Sequence, residues 1–251
     1  MKIAIRRFLR AILVQVGQLL CRALVKVTAD GIENFPRDAQ RLLVISNHFS
    51  WFDGPLLSLL LPQPPAYLLA QEEINGIAIR LISIIFESIP IWRGRVDRGA
   101  MTTAIHVLQC GGIVGIFPEG SIQPESADVV AAGQQFTEGE GGKGRHTAAL
   151  IRAKAGVALL ATLSGARILP VALIGSHDIM SNLFRRHRTP IRLIIGPAFG
   201  PLSLSNEVKG VARRQQLDKL ADEMMCQIAQ LMPPENRGYY TNVNDNGEVN
   251  T

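Results

Sequence analysis

The chain has 251 residues, 47% of them hydrophobic and 19% charged, which is enough apolar material for one substantial core in a single catalytic domain. Three widely separated cysteines, Cys21, Cys110 and Cys226, form no C-x-x-C pair, so reduced thiols in a cytosolic setting are expected rather than a disulfide framework or a zinc site. The formal charge of +5 is concentrated: Lys2, Arg6, Arg7, Arg10, Arg22 and Lys26 stand in residues 1 to 29 without an acid, and the remainder holds 20 basic against 21 acidic residues. A protein that neutralises nucleic-acid phosphates spreads cations over its body, so this distribution argues against nucleic acid as a partner.

The cationic segment is the first predicted element. At 100° per residue, Ile5, Phe8, Leu9, Ile12, Leu13, Val16, Leu19, Leu20, Ala23 and Leu24 fall on one side and Arg7, Arg10, Gln15, Gln18, Arg22 and Lys26 on the other. Such a helix lies in a membrane interface, with its stripe among acyl chains and its cations near anionic headgroups. The competing reading packs the same stripe on the protein core. No clear small-residue cleavage site follows the apolar run from Ala11 to Leu20, and no window reaches about 18 uninterrupted apolar residues. Residues 1–28 are therefore expected to lie on a membrane without crossing it, which implies peripheral attachment to the cytoplasmic face.

Next comes the apolar run Leu42 to Ser46, followed at once by Asn47-His48-Phe49-Ser50-Trp51-Phe52-Asp53-Gly54. On one continuous helix, positions five apart lie roughly 140° from each other, so His48 and Asp53 meet only if the chain turns between them. If it does, the carboxylate holds one imidazole nitrogen and the other is free to act as a base. Alternatively, Asp53 caps a helix over residues 54 to 61 and His48 fills a strand end.

Further short apolar runs follow at Ala66 to Ala70, Ile89 to Trp92, Ile113 to Phe117, Ile168 to Ile174 and Ile191 to Ile195, as expected of strands covered on both faces. Helices are expected at Ile74 to Ile85, Met101 to Cys110, His146 to Ala155 and Asn206 to Met232. The predicted fold class is α/β: a mixed, mainly parallel buried sheet flanked by helices in one domain, 29–232. Ile122 to Gly144, rich in Gly, Gln, Glu and Ala, reads as a mobile loop, and the polar tail 233–251 reads as disordered. Gly139-x-Gly141-x-x-Gly144 follows no apolar strand and so does not support a dinucleotide site. G-x-S-x-G and H-E-x-x-H are absent, and the five histidines lack metal-ligand spacing.

Together with Ile89-Pro90-Ile91-Trp92-Arg93, Phe117-Pro118-Glu119-Gly120-Ser121 and Ile168-Leu169-Pro170-Val171, the first motif resembles the lysophosphatidate acyltransferase family, the PlsC-like glycerolipid acyltransferases with an N-H-x-x-x-x-D motif. The resemblance runs from about residue 28 to 200, with the blocks in family order. It implies transfer of a fatty acyl group from acyl-CoA or acyl carrier protein to a lysophospholipid hydroxyl, giving phosphatidate from 1-acylglycerol 3-phosphate. His48 would be the general base and Asp53 its partner. Arg93 would bind the acceptor phosphate, and Glu119, Gly120 and Ser121 would form the acceptor-binding motif. Glu119 would hydrogen-bond glycerol hydroxyls or hold Arg93, whose alternative partner is Asp97.

A thioester is already activated, so the chemistry asks for a base, an oriented hydroxyl and oxyanion donors, without a metal or organic cofactor. Backbone amides of residues 48 to 51 are candidates for those donors. The chain departs from the family in two places. Ser121-Ile122-Gln123 stands where Thr and Arg are usual, and Gln71 where Lys is common. Arg95, Lys143 or Arg145 would then supply the phosphate-binding charge, or the acceptor is another lysolipid or amphipathic alcohol with less negative charge. A thioesterase and a catalytically silent lipid-binding module are the more distant readings.

Overall fold

The computed structural model describes residues 2–70, 88–91, 97–120, 148–205 and 209–241. Helix α1 spans Lys2–Leu24 and passes directly into strand β1, Val25–Asp30; then follow β2, Leu42–Ser46, α2, Asp53–Leu60, and β3, Ala66–Ala70. The later elements are β4, Ile89–Ile91, α3, Arg98–Gln109, β5, Ile113–Ile116, α4, Gly156–Ser164, β6, Arg167–Ile174, α5, Ile179–Phe184, β7, Thr189–Ile195, and α6, Gly210–Gln230.

The strands form one seven-stranded sheet in the order β1-β7-β6-β2-β5-β3-β4. All neighbours are parallel except β6 and β7, which are antiparallel, so the sheet is mixed and mainly parallel as expected. β2 is central and buried at every residue, which is why it reads as a continuous apolar run. Its period of two divides the core: Leu43 and Ile45 join the cluster that contains Ala104 of α3, Leu160 of α4 and Met225 of α6. Leu42 and Val44 join the opposite cluster with Leu56 and Leu57 of α2. α1 lies against α2 on this second face, where a Cβ at Gly17 would come within 3.3 Å of Leu59 Cδ2.

The structure departs from the sequence reading in four places. Strand pairing begins inside the expected N-terminal segment 1–28, since Val25 to Asp30 pair residue by residue with Thr189 to Ile194 as an edge strand. Residues 148–155 are not helical: Leu150 and Lys154 donate backbone hydrogen bonds to Asn236 O and Pro118 O instead of to their own turn, and the helix begins at Gly156. The closing helix starts at Gly210 rather than Asn206.

The tail is the fourth. Up to Thr241 it is ordered, with the fully buried Tyr240 donating to Asp222 Oδ1 at 2.7 Å and accepting from the Ala153 amide at 2.9 Å. Its polar composition concealed that clasp. The helix expected at Ile74 to Ile85, the loop expected at Ile122 to Gly144 and residues 242–251 of the tail lie outside the described residues.

In α1, Val14, Gly17, Gln18 and Cys21, a helical i, i+3, i+4, i+7 set, are half-buried. Ile12, Val16, Leu19 and Leu20 of the predicted stripe are 44%, 47%, 68% and 55% exposed, so these four do not pack in the core. Among the described residues, no helix is long and apolar enough to cross a membrane.

Candidate active site

The site is built where the chain leaves β2. Asn47, fully buried, extends the ladder with its side chain: Nδ2 donates to Leu173 O and Oδ1 accepts from Leu173 N, both at 2.8 Å. This pins the next residue at the carboxyl edge of the sheet. The chain then turns through residues 49 to 52, with Asp53 N donating to Ser50 O at 3.1 Å, and α2 begins at Asp53. That turn closes the gap the spacing left open.

Asp53 is fully buried, and its Oδ2 receives three donors: Phe49 N at 2.7 Å, Ser50 N at 2.8 Å and His48 Nδ1 at 3.1 Å. A carboxylate only accepts, so Nδ1 carries the proton, and in the neutral imidazole Nε2 keeps its lone pair. The capping alternative fails in detail, because the carboxylate gathers amides of the preceding loop and caps nothing in α2. Burying a carboxylate is costly unless donors replace its water, and this loop supplies them.

The imidazole side chain, 12% exposed, stacks on Phe117 with centroids 3.9 Å apart and planes 9° from parallel. Tyr67 stacks on the other end of the row, 5.4 Å from Phe117. β5 carries Gly115 opposite that ring: a Cβ there would lie 2.4 Å from Tyr67 Cε1, so only glycine leaves Tyr67 room beneath Phe117. Burial, reinforced by the Asp53 carboxylate, holds the Tyr67 phenol well above its ordinary pKa and therefore neutral.

Phe117 opens the Phe117-Pro118-Glu119-Gly120-Ser121 motif, and Glu119 follows in a tight turn with Gly120 N donating to Phe117 O. Glu119 is fully buried, and its Oε1 accepts the backbone N–H of His48 at 2.9 Å. The motif thus holds both the ring and the backbone of His48. Gly120 is exposed, in the left-handed region at φ 77°, and the stem of Lys154 crosses it: a Cβ at Gly120 would lie 3.0 Å from Lys154 Cδ.

His48, Asp53, Glu119 and Gly120 are therefore brought together, whereas Arg93 and Ser121 lie outside the described residues, as do Gln71, Arg95, Lys143 and Arg145. Asp97 caps α3, accepting from Ala100 N at 3.0 Å. One expectation changes: the amides of His48, Phe49 and Ser50 are spent on Glu119 and Asp53, which removes three of the four proposed oxyanion donors. The sequence reading quoted Asn47 and Phe117 within its motifs without giving them a role, Tyr67 only as part of a strand, and Lys154 only as part of an expected helix. The first three carry ordinary strand or core signals, and Lys154 reaches the motif only because its segment is extended.

The profile of the family described as Acyltransferase matches residues 26–174, more than half of the chain. The fold is similar to that of the crystal structure of the 1-acyl-sn-glycerophosphate (LPA) acyltransferase, PlsC, from Thermotoga maritima. The TM-score is 0.59 at 20% identity over 88% of this chain and 80% of that one. With its N-H-x-x-x-x-D pair assembled on a shared fold, this chain belongs to the acyltransferase family and is an acyltransferase enzyme.

Proposed function

We propose that the protein is a membrane-surface acyltransferase that moves a fatty acyl group from acyl-CoA or acyl carrier protein to the hydroxyl of 1-acyl-sn-glycerol 3-phosphate, giving phosphatidate. The observation that carries this reading is the buried His48–Asp53 pair, which leaves Nε2 as the base. Nε2 takes the acceptor hydroxyl proton as that oxygen attacks the thioester carbonyl. The carbon–sulfur bond then breaks, and the departing thiolate takes the proton back from Nε2. Asp53 stays ionised and offsets the imidazolium formed between the two steps. The thioester brings its own activation, so the step calls for no metal or organic cofactor.

The exposed stripe of α1 supports attachment to the cytoplasmic face of a membrane as a peripheral protein, where lysophospholipid acceptors reside. Lys154 beside Gly120 supports an anionic group on the acceptor, which the family resemblance also assigns to Arg93. The test is a panel of acceptors with and without phosphate, run with both donors. Preference for the phosphate-bearing lysolipid is expected, and equal rates with a phosphate-free alcohol would refute the acceptor assignment while leaving the acyl transfer intact.

A further inference from the structure

The sheet topology brings one unassigned surface to the same edge as His48. β6 runs parallel to β2 and ends at Ile174, and Leu173 holds Asn47 beside the catalytic loop. β7 runs back antiparallel with Ile174 opposite Arg192, so Thr189 stands three residues, about 10 Å, beyond the level of Ile174. Val25 pairs with Thr189, and the end of α1 therefore stands at that height too. The α5–β7 turn lies there, and Arg188 Nη2 donates to Val25 O at 2.7 Å, joining the turn to the α1–β1 junction.

The chemistry of that turn is unusual for a soluble surface. Phe184 is 81% exposed and Leu183 42% exposed, and Arg185, Arg186 and His187 that follow are all exposed. Residues 179 to 206 contain no acid, and the nearest one, Asp178, faces His177 at 3.4 Å. Across the junction, α1 adds the exposed Leu19 and Leu20 with Arg22, and β1 adds the exposed Lys26. An aromatic ring left in water among cations has no folding rationale, but it fits the headgroup boundary of an anionic bilayer, where ring and charges are both satisfied.

We propose that the turn Leu183-Phe184-Arg185-Arg186 is a second membrane contact, which together with α1 docks the His48 edge of the sheet against anionic lipid. The inference rests on the reading of α1 as an interfacial helix. One helix lying in a membrane leaves the domain free to roll about the helix axis. A second contact at the end of that helix removes the freedom and holds the mouth of the site at the depth of an acceptor headgroup. Acyl carrier protein, with an acidic surface, would match the cations alone; the exposed ring at the same sheet edge as the exposed end of α1 favours lipid.

The test uses the full chain and vesicles of phosphatidylcholine with and without phosphatidylglycerol. Phe184→Ser is expected to weaken binding to the anionic vesicles roughly tenfold. Arg185→Ala with Arg186→Ala is expected to weaken it roughly fivefold per cation, with little effect on pure phosphatidylcholine. Turnover of short, water-soluble substrates should stay at the parental rate. In Phe184→Trp, brominated lipid should quench the added fluorescence over the parental signal.

Parental vesicle binding by the turn variants would overturn the inference, as would an unquenched Trp at 184. So would unchanged vesicle binding with a raised KM for acyl carrier protein thioester, which would make the turn a carrier-protein dock. Leu19→Asp with Leu20→Asp tests α1 separately: unchanged vesicle binding there, with quenching at 184 retained, would refute the helix reading and leave the turn in place.

Discussion

The imidazole of His48 lies flat on the ring of Phe117, 3.9 Å between centroids, and one residue beyond Pro118 the Glu119 carboxylate accepts the amide of the same histidine. One short motif at the end of β5 therefore fixes His48 at two points, while Asp53 fixes it at a third. Phe117→Ala is expected to lower kcat about tenfold or more with a small change in KM, because it frees the ring without touching the acceptor. Steady-state kinetics on one acceptor would decide this, and a change confined to KM would contradict it.

His48→Ala and Asp53→Asn should each reduce acyl transfer by about 10² to 10⁴-fold, the range supplied by a positioned base. Thioester consumption measured beside circular dichroism separates chemistry from folding. Transfer at the parental rate by a folded His48→Ala protein would refute the mechanism.

Glu119 offers a sharper discrimination. Glu119→Gln keeps an oxygen for the His48 amide and should stay close to the parent in thermal stability. Glu119→Leu leaves that N–H buried and unpaired, at about 1–3 kcal/mol. For a protein of this size that is roughly 2–12 °C in Tm, read by thermal unfolding. Equal melting temperatures for the two variants would show that the hydrogen bond contributes nothing.

Tyr240→Phe removes the hydroxyl that bridges Asp222 and the Ala153 amide. The predicted cost is again about 1–3 kcal/mol. Local amide exchange at residues 150 to 154 should rise with it, because that amide anchors the segment bearing Lys154. Unchanged exchange there would separate the tail from the site.

The thiols give a pH test. Burial, helped by Asp222 and Glu223, pushes Cys226 up to about 12, while Cys110 is exposed at the end of α3. In the native protein at pH 8, a thiol reagent should modify Cys110 and leave Cys226 intact until the chain is unfolded. A raised folded pKa means that the contribution of Cys226 is complete below the ordinary thiol pKa. It is lost between about pH 9 and 12, so Cys226→Ala should flatten the alkaline decline in stability. Labelling of Cys226 in the folded protein would contradict both statements.

The strands were legible because a sheet covered on both faces demands uninterrupted apolar runs: Leu42 to Ser46 and Ile168 to Ile174 needed no tertiary information. The His48 and Asp53 residue types and the Phe117 to Gly120 block were legible for a similar reason, since a base, its acid and a tight turn are short-range requirements. Their partnership was not. Whether Asp53 caps a helix or orients an imidazole depends on the three donors that meet its Oδ2, and only the folded turn brings them there.

Glu119 shows the same division, because its partner stands 71 positions away and no local pattern encodes that pairing. The tail to Thr241 reads as disordered from composition, yet it is ordered by a buried phenol whose partners lie on α6 and before α4 and by backbone bonds of Asn236 and Tyr239 to Leu150. By itself the sequence determined the apolar periodicity, the amphipathic first helix and the chemical inventory of the site, all functions of neighbouring residues. The tertiary structure decided which groups share a hydrogen bond and which apolar residues remain exposed, because both depend on contacts between segments distant along the chain.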